Sequence, residues 1–320
     1  MRKSVQTLLD QHQIRKTRKQ KQAFVAFMKE HAKAHGYRVE EQLYKRGRGR
    51  NLIVGNLKEA QAIVTAHYDT PPNALMPIAT VVGSVPIYIL SQLFVFLPVI
   101  GLFWLIQYVL TWIVGDIGVW ASPTFFFGLD IPLFVFVMLI LWCFQMMMGV
   151  ANRKNANDNT SGVSVLLSML EDLPTDQRQK VCFVFFDEEE KVLEGSKMFK
   201  RMYFEEIGEK PLINFDCVGH GKHLMFIAKK AFASSTLHPL LEEAVQSKAM
   251  IKPAKRYVYA SDQLIFKNSI GVAALHKLPL VGYYLSRLHS SFDTKFSVEN
   301  IETLTQIMVD FVRKLEKNEN

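Results

Sequence analysis

Residues 62–70 read AIVTAHYDT, a short apolar run that ends abruptly at His67 and Asp69. Such a run is typical of a buried strand, and polar residues directly after it lie at the sheet edge where α/β proteins bind ligands. A second run of this kind, Val181–Phe186, is followed by Asp187 and three glutamates. Two buried strands that end in acidic and imidazole side chains therefore predict a functional site at one end of a sheet.

The rest of the pattern alternates between strands and helices. Further strands are predicted at residues 37–44, 51–57, 212–215 and 271–275, and helices at 19–33, 161–170, 196–204, 239–248 and 298–317. This alternation predicts an α/β fold, a three-layer sandwich in which a mixed, mostly parallel sheet has helices on both faces.

Residues 75–150, called the insert below, interrupt this pattern. Their only charged side chains are Asp116 and Asp130, and they contain no Lys, Arg, Glu or His. The best candidates for transmembrane helices are residues 78–97 and 131–150, each close to the roughly 20 residues that a bilayer requires. We therefore predict a helical transmembrane insert. Two spans are preferred because the polar motifs before and after the insert are expected to form one site, and an even number of crossings keeps them on the same side of the membrane.

Basic residues concentrate near the N-terminus, where residues 1–50 carry 14 Lys and Arg against 4 Asp and Glu. Such a segment suits nucleic acid or an anionic membrane face, and the neighbouring insert favours the bilayer. We expect no nucleic-acid partner. The loop between the predicted spans lacks Lys and Arg, whereas Arg153 and Lys154 follow the second span, so the globular domain of an integral, multi-pass protein is expected to face the cytoplasm. No signal peptide is expected.

Five motifs occur in a fixed order outside the insert: AHYDT at 66–70, ANDNTSG at 156–162, FFDEEE at 185–190, NFD at 214–216 and LHSSFDT at 288–294. Together they resemble the motifs of the di-zinc aminopeptidase family, whose relatives include bacterial leucyl aminopeptidases, glutamate carboxypeptidases and glutaminyl cyclases. The resemblance implies a peptidase domain made of residues 1–74 and 151–320, interrupted by the transmembrane insert.

The resemblance also implies two zinc ions that share the carboxylate of Asp158. His67 and Asp216 would complete one site, and Glu190 and His289 the other. Nitrogen and oxygen ligands with open coordination positions agree with this chemistry, because such zinc centres activate water at neutral pH.

Two catalytic roles follow from the same resemblance. Glu189 would be the general base that takes a proton from water and passes it to the leaving amine, and Asp69 would orient His67 through its second ring nitrogen. In the family, a glycine and a serine follow the glutamate pair at a fixed distance, and here they are Gly195 and Ser196. Counting back from them assigns the pair to Glu189 and Glu190 and leaves Glu188 as a solvated third acid. Val192 stands where the family has glycine, a departure that is expected to reshape the loop beside the base.

The implied function is that of a membrane-anchored zinc exopeptidase, foremost an aminopeptidase, acting on peptides that include membrane-near ones. The alternatives on the same site are a carboxypeptidase, a dipeptidase or a cyclase. From a different class, the alternative is a non-catalytic membrane scaffold that kept the peptidase fold, although such a scaffold is expected to lose ligands. Tyr257 and Tyr259 are further candidates for stabilising an oxyanion. The substrate side chain and the oligomeric state stay open.

Overall fold

The computed structural model describes residues 1–315 apart from 75–76, 95–96, 98–99, 102–103, 106–107, 109–111, 113–124, 127–128, 131–136, 138–139, 142–143 and 146–148. The described strands are β1 (Val39–Tyr44), β2 (Gly49–Val54), β3 (Ala62–His67), β4 (Ile78–Val82), β5 (Phe125–Phe126), β6 (Leu129–Asp130), β7 (Val181–Phe186), β8 (Leu212–Phe215), β9 (His223–Ala228), β10 (Met250–Pro253), β11 (Ser269–Leu278) and β12 (Gly282–Leu288). The described α-helices are α1 (Lys3–Gln11), α2 (Arg18–Ala34), α3 (Val85–Phe94), α4 (Thr160–Asp172), α5 (Glu194–Met202), α6 (Phe204–Ile207), α7 (Lys230–Ala233), α8 (His238–Val245) and α9 (Val298–Leu315).

Ten of these strands form one mixed sheet. Its centre is parallel, in the order β7, β3, β8, β11. Antiparallel strands enlarge both sides: β2 and β1 follow β7, whereas β12, β4 and β9 are added antiparallel at the β11 end, and β10 pairs parallel with β9. The sheet is mixed as predicted, but it is parallel only at its centre and between β9 and β10, because the other flanking strands pair antiparallel.

Alternate side chains of the central strands enter two separate cores. Val64 of β3 and Phe183 of β7 belong to the larger core, which α1, α2, α4, α8 and α9 cover. Ile63 and Val184 point the other way, into a smaller core with Phe199 of α5. This alternation follows from the two-residue period of a strand. Helices therefore cover both faces of the sheet, as the predicted three-layer sandwich requires.

Local signals explain where several helices begin. Thr17 accepts a hydrogen bond from the Gln20 N–H, and the Gln20 side chain accepts one from the Thr17 N–H, which makes a capping box at the start of α2. Asn159 caps α4 by accepting from the Gly162 N–H at 2.9 Å. Such caps satisfy amide groups that the first turn of a helix leaves free.

The prediction of a first membrane span at residues 78–97 is wrong at its start. Ile78–Val82 is strand β4, which pairs antiparallel with β12, and helix α3 begins only at Val85. Apolar, β-branched runs carry the same hydropathy in a strand as in a helix, so hydropathy did not separate them. Much of the predicted second span, residues 131–150, lies outside the described residues. In the part of the chain that the structure describes, no helix is long and apolar enough to cross a membrane.

Candidate metal centre

The sheet brings the predicted site residues together because the central strands end at the same edge. His67 is the last residue of β3, directly beside Phe186 at the end of β7, and Glu189 and Glu190 follow in the next loop. Asp216 comes directly after β8, and His289 directly after β12. Residues more than 200 positions apart in the sequence therefore meet at one point, as open α/β sheets arrange their ligand sites.

Asp158 reaches the same point from the loop before α4. The Asp158–Asn159 peptide bond is cis. Asp293 holds this loop, because its two carboxylate oxygens accept the Asn157 N–H at 2.8 Å and the Asp158 N–H at 3.0 Å. Asn159 also donates to the Phe215 carbonyl at 2.9 Å, which ties the loop to the end of β8.

Two ligand groups share Asp158. On one side, His67 Nε2 lies 3.4 Å from Asp158 Oδ1 and 3.4 Å from Asp216 Oδ1. On the other side, His289 Nε2 lies 3.2 Å from Asp158 Oδ2 and 3.5 Å from Glu190 Oε2. In each group the three ligand atoms lie within 4.8 Å of one another. The two oxygens of Asp158 thus face two different groups of donors.

These distances fit zinc. With bonds of about 2.0–2.1 Å, two ligand atoms at adjacent corners of a tetrahedron are separated by about 3.3 Å, and the four measured separations are 3.2–3.5 Å. Histidine nitrogen and carboxylate oxygen are also donors that zinc accepts. The residues present therefore suit two cations that share the Asp158 carboxylate.

The charges of the centre also call for cations. Burial raises the pKa of both Glu189 and Glu190 well above the usual value, and neighbouring carboxylates raise it further, with Glu190 acting on Glu189 and Asp158 acting on Glu190. Buried carboxylates in such number are costly unless they are paired or bind metal. A bound cation would remove this repulsion.

Asp69 connects the histidine to the glutamate loop. Its Oδ1 lies 3.5 Å from His67 Nδ1. The same carboxylate accepts the Glu189 N–H at 3.0 Å and the Glu190 N–H at 3.3 Å. Burial opposes ionisation, but the His67 hydrogen bond and the charge of Lys21 lower the pKa of Asp69 to about 2. Asp69 is therefore placed to orient His67, as predicted, and also to fix the backbone of both glutamates.

Glu189 lies beside the ligands, in a third group with His67 and Glu190 whose oxygen and nitrogen atoms lie within 4.8 Å of one another. This is where a general base for metal-activated water is needed. The predicted solvated character of Glu188 is wrong: its side chain is buried and pairs with Lys191 Nζ at 2.6 Å and Lys45 Nζ at 3.5 Å. Paired charges can be buried, which is why exposure did not follow from residue type.

Val192 adopts a left-handed backbone conformation, with φ at 64°. β-branched residues rarely adopt it, whereas glycine does so without strain. Val192 thus holds a conformation that suits glycine, and the reshaping of the loop stays a prediction.

Sequence reasoning missed Arg15, and it assigned no role to Asp262 or Asp293. Arg15 is fully buried; it donates to the Tyr68 carbonyl and to Thr160 Oγ1 at 3.1 Å, behind His67. Burial raises the pKa of Asp262, which lies near His67 and Asp69, to about 7. Asp293 was paired with His289 in the motif but not identified as the residue that holds the Asp158 loop. No periodicity marks any of these, because each acts through a tertiary contact.

Tyr259 is buried and donates to the Asp216 carbonyl at 2.9 Å. Its hydroxyl therefore supports the ligand loop, and the role of oxyanion donor stays a prediction. His220 and His276 contact each other edge to face, with ring centroids 4.4 Å apart. In the described part of the chain, neither belongs to a group of three metal-ligand atoms.

The fold and the paired ligand groups are those of an α/β protein with a candidate two-cation centre. The family model of peptidase family M28 matches residues 147–312, just over half of the chain, and the chain belongs to this family. No curated protein sequence is significantly similar to it.

Solved structures share the fold at low sequence identity. Glutaminyl cyclase from Porphyromonas gingivalis is 16% identical with a TM-score of 0.57, over 97% of this chain and 96% of that one. LapB from Legionella pneumophila is 18% identical with a TM-score of 0.55, over 98% and 71%. A Zn-dependent exopeptidase from Parabacteroides distasonis is 14% identical with a TM-score of 0.55, over 97% and 96%. These likenesses establish the architecture, and the activity is argued from the site.

Proposed function

We propose that this protein is a membrane-anchored aminopeptidase that holds two zinc ions and removes residues from the N-terminus of peptides. The observation that carries the proposal is the placement of Asp158 between two ligand groups, His67 with Asp216 and Glu190 with His289, at separations of 3.2–3.5 Å. Membership of peptidase family M28 supports peptide hydrolysis.

The protein's own residues divide the chemistry among them. When bound, two zinc ions would act as Lewis acids for the scissile carbonyl and would lower the pKa of the attacking water. Glu189 accepts the proton of the attacking water and delivers it to the leaving amine. Asp69 keeps Glu189 and Glu190 in place through their backbone N–H groups, and it orients His67.

The charges around the centre favour an ammonium group over a carboxylate as the substrate terminus. Buried carboxylates surround the ligands, whereas Lys21 is paired with Asp187 and Arg15 with backbone carbonyls. Lys16 is half-buried, and the charges of Glu190 and Asp69 act on it. A carboxypeptidase would therefore use Lys16 to hold the C-terminal carboxylate, and an aminopeptidase would not.

The test is mass spectrometry of a peptide pool in which each peptide is present in free and N-acetylated form, incubated with the zinc-loaded full chain. We expect stepwise loss of N-terminal residues from the free forms only, and Lys16→Ala is expected to leave this activity within about threefold of wild type. Trimming of C-termini that Lys16→Ala abolishes would establish a carboxypeptidase. Formation of pyroglutamate from N-terminal glutamine, with a loss of ammonia and no cleavage, would establish a cyclase; no reaction on any peptide would favour the scaffold.

The membrane part of the proposal is supported by the surface of the insert. Its described apolar side chains from residue 89 onward are largely exposed, an unusual density for a protein surface. They are Ile89, Leu90, Leu93, Phe94, Leu97, Ile100, Trp104, Leu105, Tyr108, Trp112, Val137, Ile140, Leu141, Phe144 and Val150. We propose that this apolar arm, residues 89–150, is embedded in a bilayer, with the peptidase domain on the cytoplasmic side and membrane-near peptides among its substrates.

Flotation of the purified full chain with phosphatidylcholine vesicles tests the anchoring. We expect the protein to float with the vesicles and to stay bound in 1 M salt, because apolar contact with lipid is insensitive to ionic screening. Release by salt would replace the apolar anchor with an electrostatic one through the basic N-terminal segment. Recovery of the protein apart from the vesicles at low salt would contradict membrane association altogether.

A further inference from the structure

The base of the insert comprises residues 72–74, 77–83 and 150–152, and it is joined to the candidate metal centre by hydrogen bonds. The Ala74 N–H donates to the carbonyl of His289 at 2.5 Å. The two ends of the insert also meet there, because the Asn73 N–H donates to the Val150 carbonyl at 2.7 Å and the Asn152 N–H to the Pro71 carbonyl at 2.9 Å. The insert thus leaves and re-enters the domain beside one of the predicted ligands.

Strand β4 continues this attachment on a second side of the centre. Ile78 pairs with Leu288, the residue before His289. At the end of β4, Gly83 accepts the Val258 N–H at 2.7 Å. The next residue, Tyr259, carries the hydroxyl that donates to the Asp216 carbonyl. The base of the insert is therefore hydrogen-bonded directly to the carbonyl of the ligand His289. It is connected to the ligand Asp216 only through residues 258–259.

Helix α3 starts two residues after Gly83 and is held against β4. The Ser91 hydroxyl is buried, donates to the Tyr88 carbonyl at 2.7 Å and lies 3.4 Å from the Val81 N–H. Tyr88 is half-buried in the first turns of this helix, whereas its neighbour Ile89 is 53% exposed. Burial and the nearby charge of Glu189 raise the pKa of Tyr88. The half-buried ring therefore lies on the side of α3 that faces the domain, where β4 pairs with the strand before His289, and the charge of Glu189 acts on it.

We infer that the base of the insert forms one wall of the substrate cleft, and that Tyr88 contacts the bound peptide next to Glu189 and determines which side chains are accepted. This inference rests on the proposed exopeptidase function. A tyrosine ring offers a flat apolar face, so Tyr88 selects peptides with a large apolar side chain beside the scissile bond. The apolar arm begins at residue 89, inside α3. Tyr88, which selects the substrate, therefore directly precedes the proposed anchor in the same helix.

The experiment compares Tyr88→Ala and Tyr88→Phe with the control Ile89→Ala in the zinc-loaded full chain. Two readouts are taken: kcat and KM for peptide amides that begin with leucine or glycine, and calorimetric binding of leucine hydroxamate and glycine hydroxamate. We expect Tyr88→Ala to raise KM and Kd for the leucine compounds about tenfold and to leave the glycine compounds within about twofold, since one apolar contact is worth roughly this much discrimination.

Tyr88→Phe is expected to behave like wild type, because the ring makes the contact, and Ile89→Ala likewise, because its side chain points away. Equal leucine-to-glycine ratios in Tyr88→Ala and Ile89→Ala would overturn the inference. So would a wild type that binds neither hydroxamate. A wild type that cleaves no peptide but binds leucine hydroxamate through Tyr88 would refute the proposed exopeptidase and retain the wall formed by the insert.

Discussion

The metal centre and the apolar arm depart from the usual distribution of side chains in opposite directions. At the centre, carboxylates such as Asp158 and Asp69 are buried. On the arm, large apolar side chains such as Leu105 and Trp112 are exposed. Globular proteins ordinarily expose acids and bury aromatic residues, and both exceptions cost free energy unless a partner compensates. The proposed function therefore assigns each region a compensating partner, which is cations for the centre and lipid for the arm.

The two regions also differ in how precisely their side chains are placed. The centre is built from strand ends that the core of the sheet holds in place, so its geometry is specific. The described part of the arm offers a large exposed apolar surface. Such a surface suits the lipid partner that we propose, because contact with a fluid bilayer needs no exact geometry. The two regions meet at the base of the insert, where the Ala74 N–H bonds to the His289 carbonyl.

The largest effect is expected for Asp158→Asn. An amide replaces the one carboxylate that faces both ligand groups, so bound zinc should fall from two ions per chain to fewer than one, and hydrolysis should fall to background. Plasma emission spectroscopy of the dialysed protein measures the zinc. The control is Asp176→Asn on the exposed surface. An unchanged zinc content in Asp158→Asn would remove the shared carboxylate from the account.

Glu189→Gln should separate chemistry from metal binding. The amide cannot accept a proton from water, so kcat should fall by about 10²- to 10⁴-fold while both zinc ions remain bound. Stopped assays on a leucine peptide amide, with zinc analysis of the same sample, test this. A variant that keeps a rate near wild type would exclude Glu189 as the base.

The sequence specified the centre better than its surroundings. Four of the five predicted ligands follow parallel strands or precede a helix, each with a clear apolar pattern, so the parallel centre of the sheet brings them together. His289 instead follows the antiparallel strand β12, which the sequence did not predict. Strand β4 was mistaken for the start of a membrane span because Ile78–Val82 is apolar in either conformation. The strand is defined by its pairing with β12, and such a tertiary contact has no signature in the local sequence.

The same reasoning explains which site residues went unrecognised. Arg15 lies in a basic stretch and became fully buried because carbonyl groups of Tyr68 and His12 accept its N–H groups. Tyr88 lies in an apolar run that carries no polar periodicity. Its place near Glu189 depends on how β4 docks, which the sequence does not encode locally.

The arm can be tested by placing charge on it. The double variant Leu93→Lys with Phe94→Lys puts two charges on side chains that are each 57% exposed. A charge at the centre of a membrane-spanning helix costs about 2.5–3.5 kcal/mol and less toward the interface, so the two charges together should lower the bound fraction in vesicle flotation at least tenfold. Leu278→Lys, on β11 outside the insert, is the control and should float like wild type. Equal flotation of both variants would show that this surface does not meet lipid.

Asp293→Asn should loosen the loop that carries Asp158. The carboxylate accepts two backbone N–H groups, and an amide can accept only one while its own N–H group faces the other. We expect a loss of about 1–3 kcal/mol in the free energy of unfolding, together with weaker zinc binding. Urea unfolding measures the first effect, and Asp176→Asn on the exposed surface serves as the control. Unchanged stability would mean that these two hydrogen bonds do not hold the loop.

The smallest effect is expected at Val192. Glycine at this position would relieve a left-handed backbone angle that costs a β-branched residue about 1–2 kcal/mol, less the roughly 0.5–1 kcal/mol by which glycine gains freedom in the unfolded chain. Val192→Gly should therefore raise the free energy of unfolding by up to about 1.5 kcal/mol. Val281→Gly, at an exposed position without a positive φ, should lower it instead. A destabilised Val192→Gly variant would show that the angle is not strained.

The most direct test of the central claim is anomalous diffraction at the zinc absorption edge from crystals of the zinc-loaded full chain. The account predicts two peaks, one bonded to His67, Asp216 and Asp158, the other to His289, Glu190 and the second oxygen of Asp158. A single peak, or two peaks that do not share Asp158, would contradict the two-cation centre on which the proposed function depends.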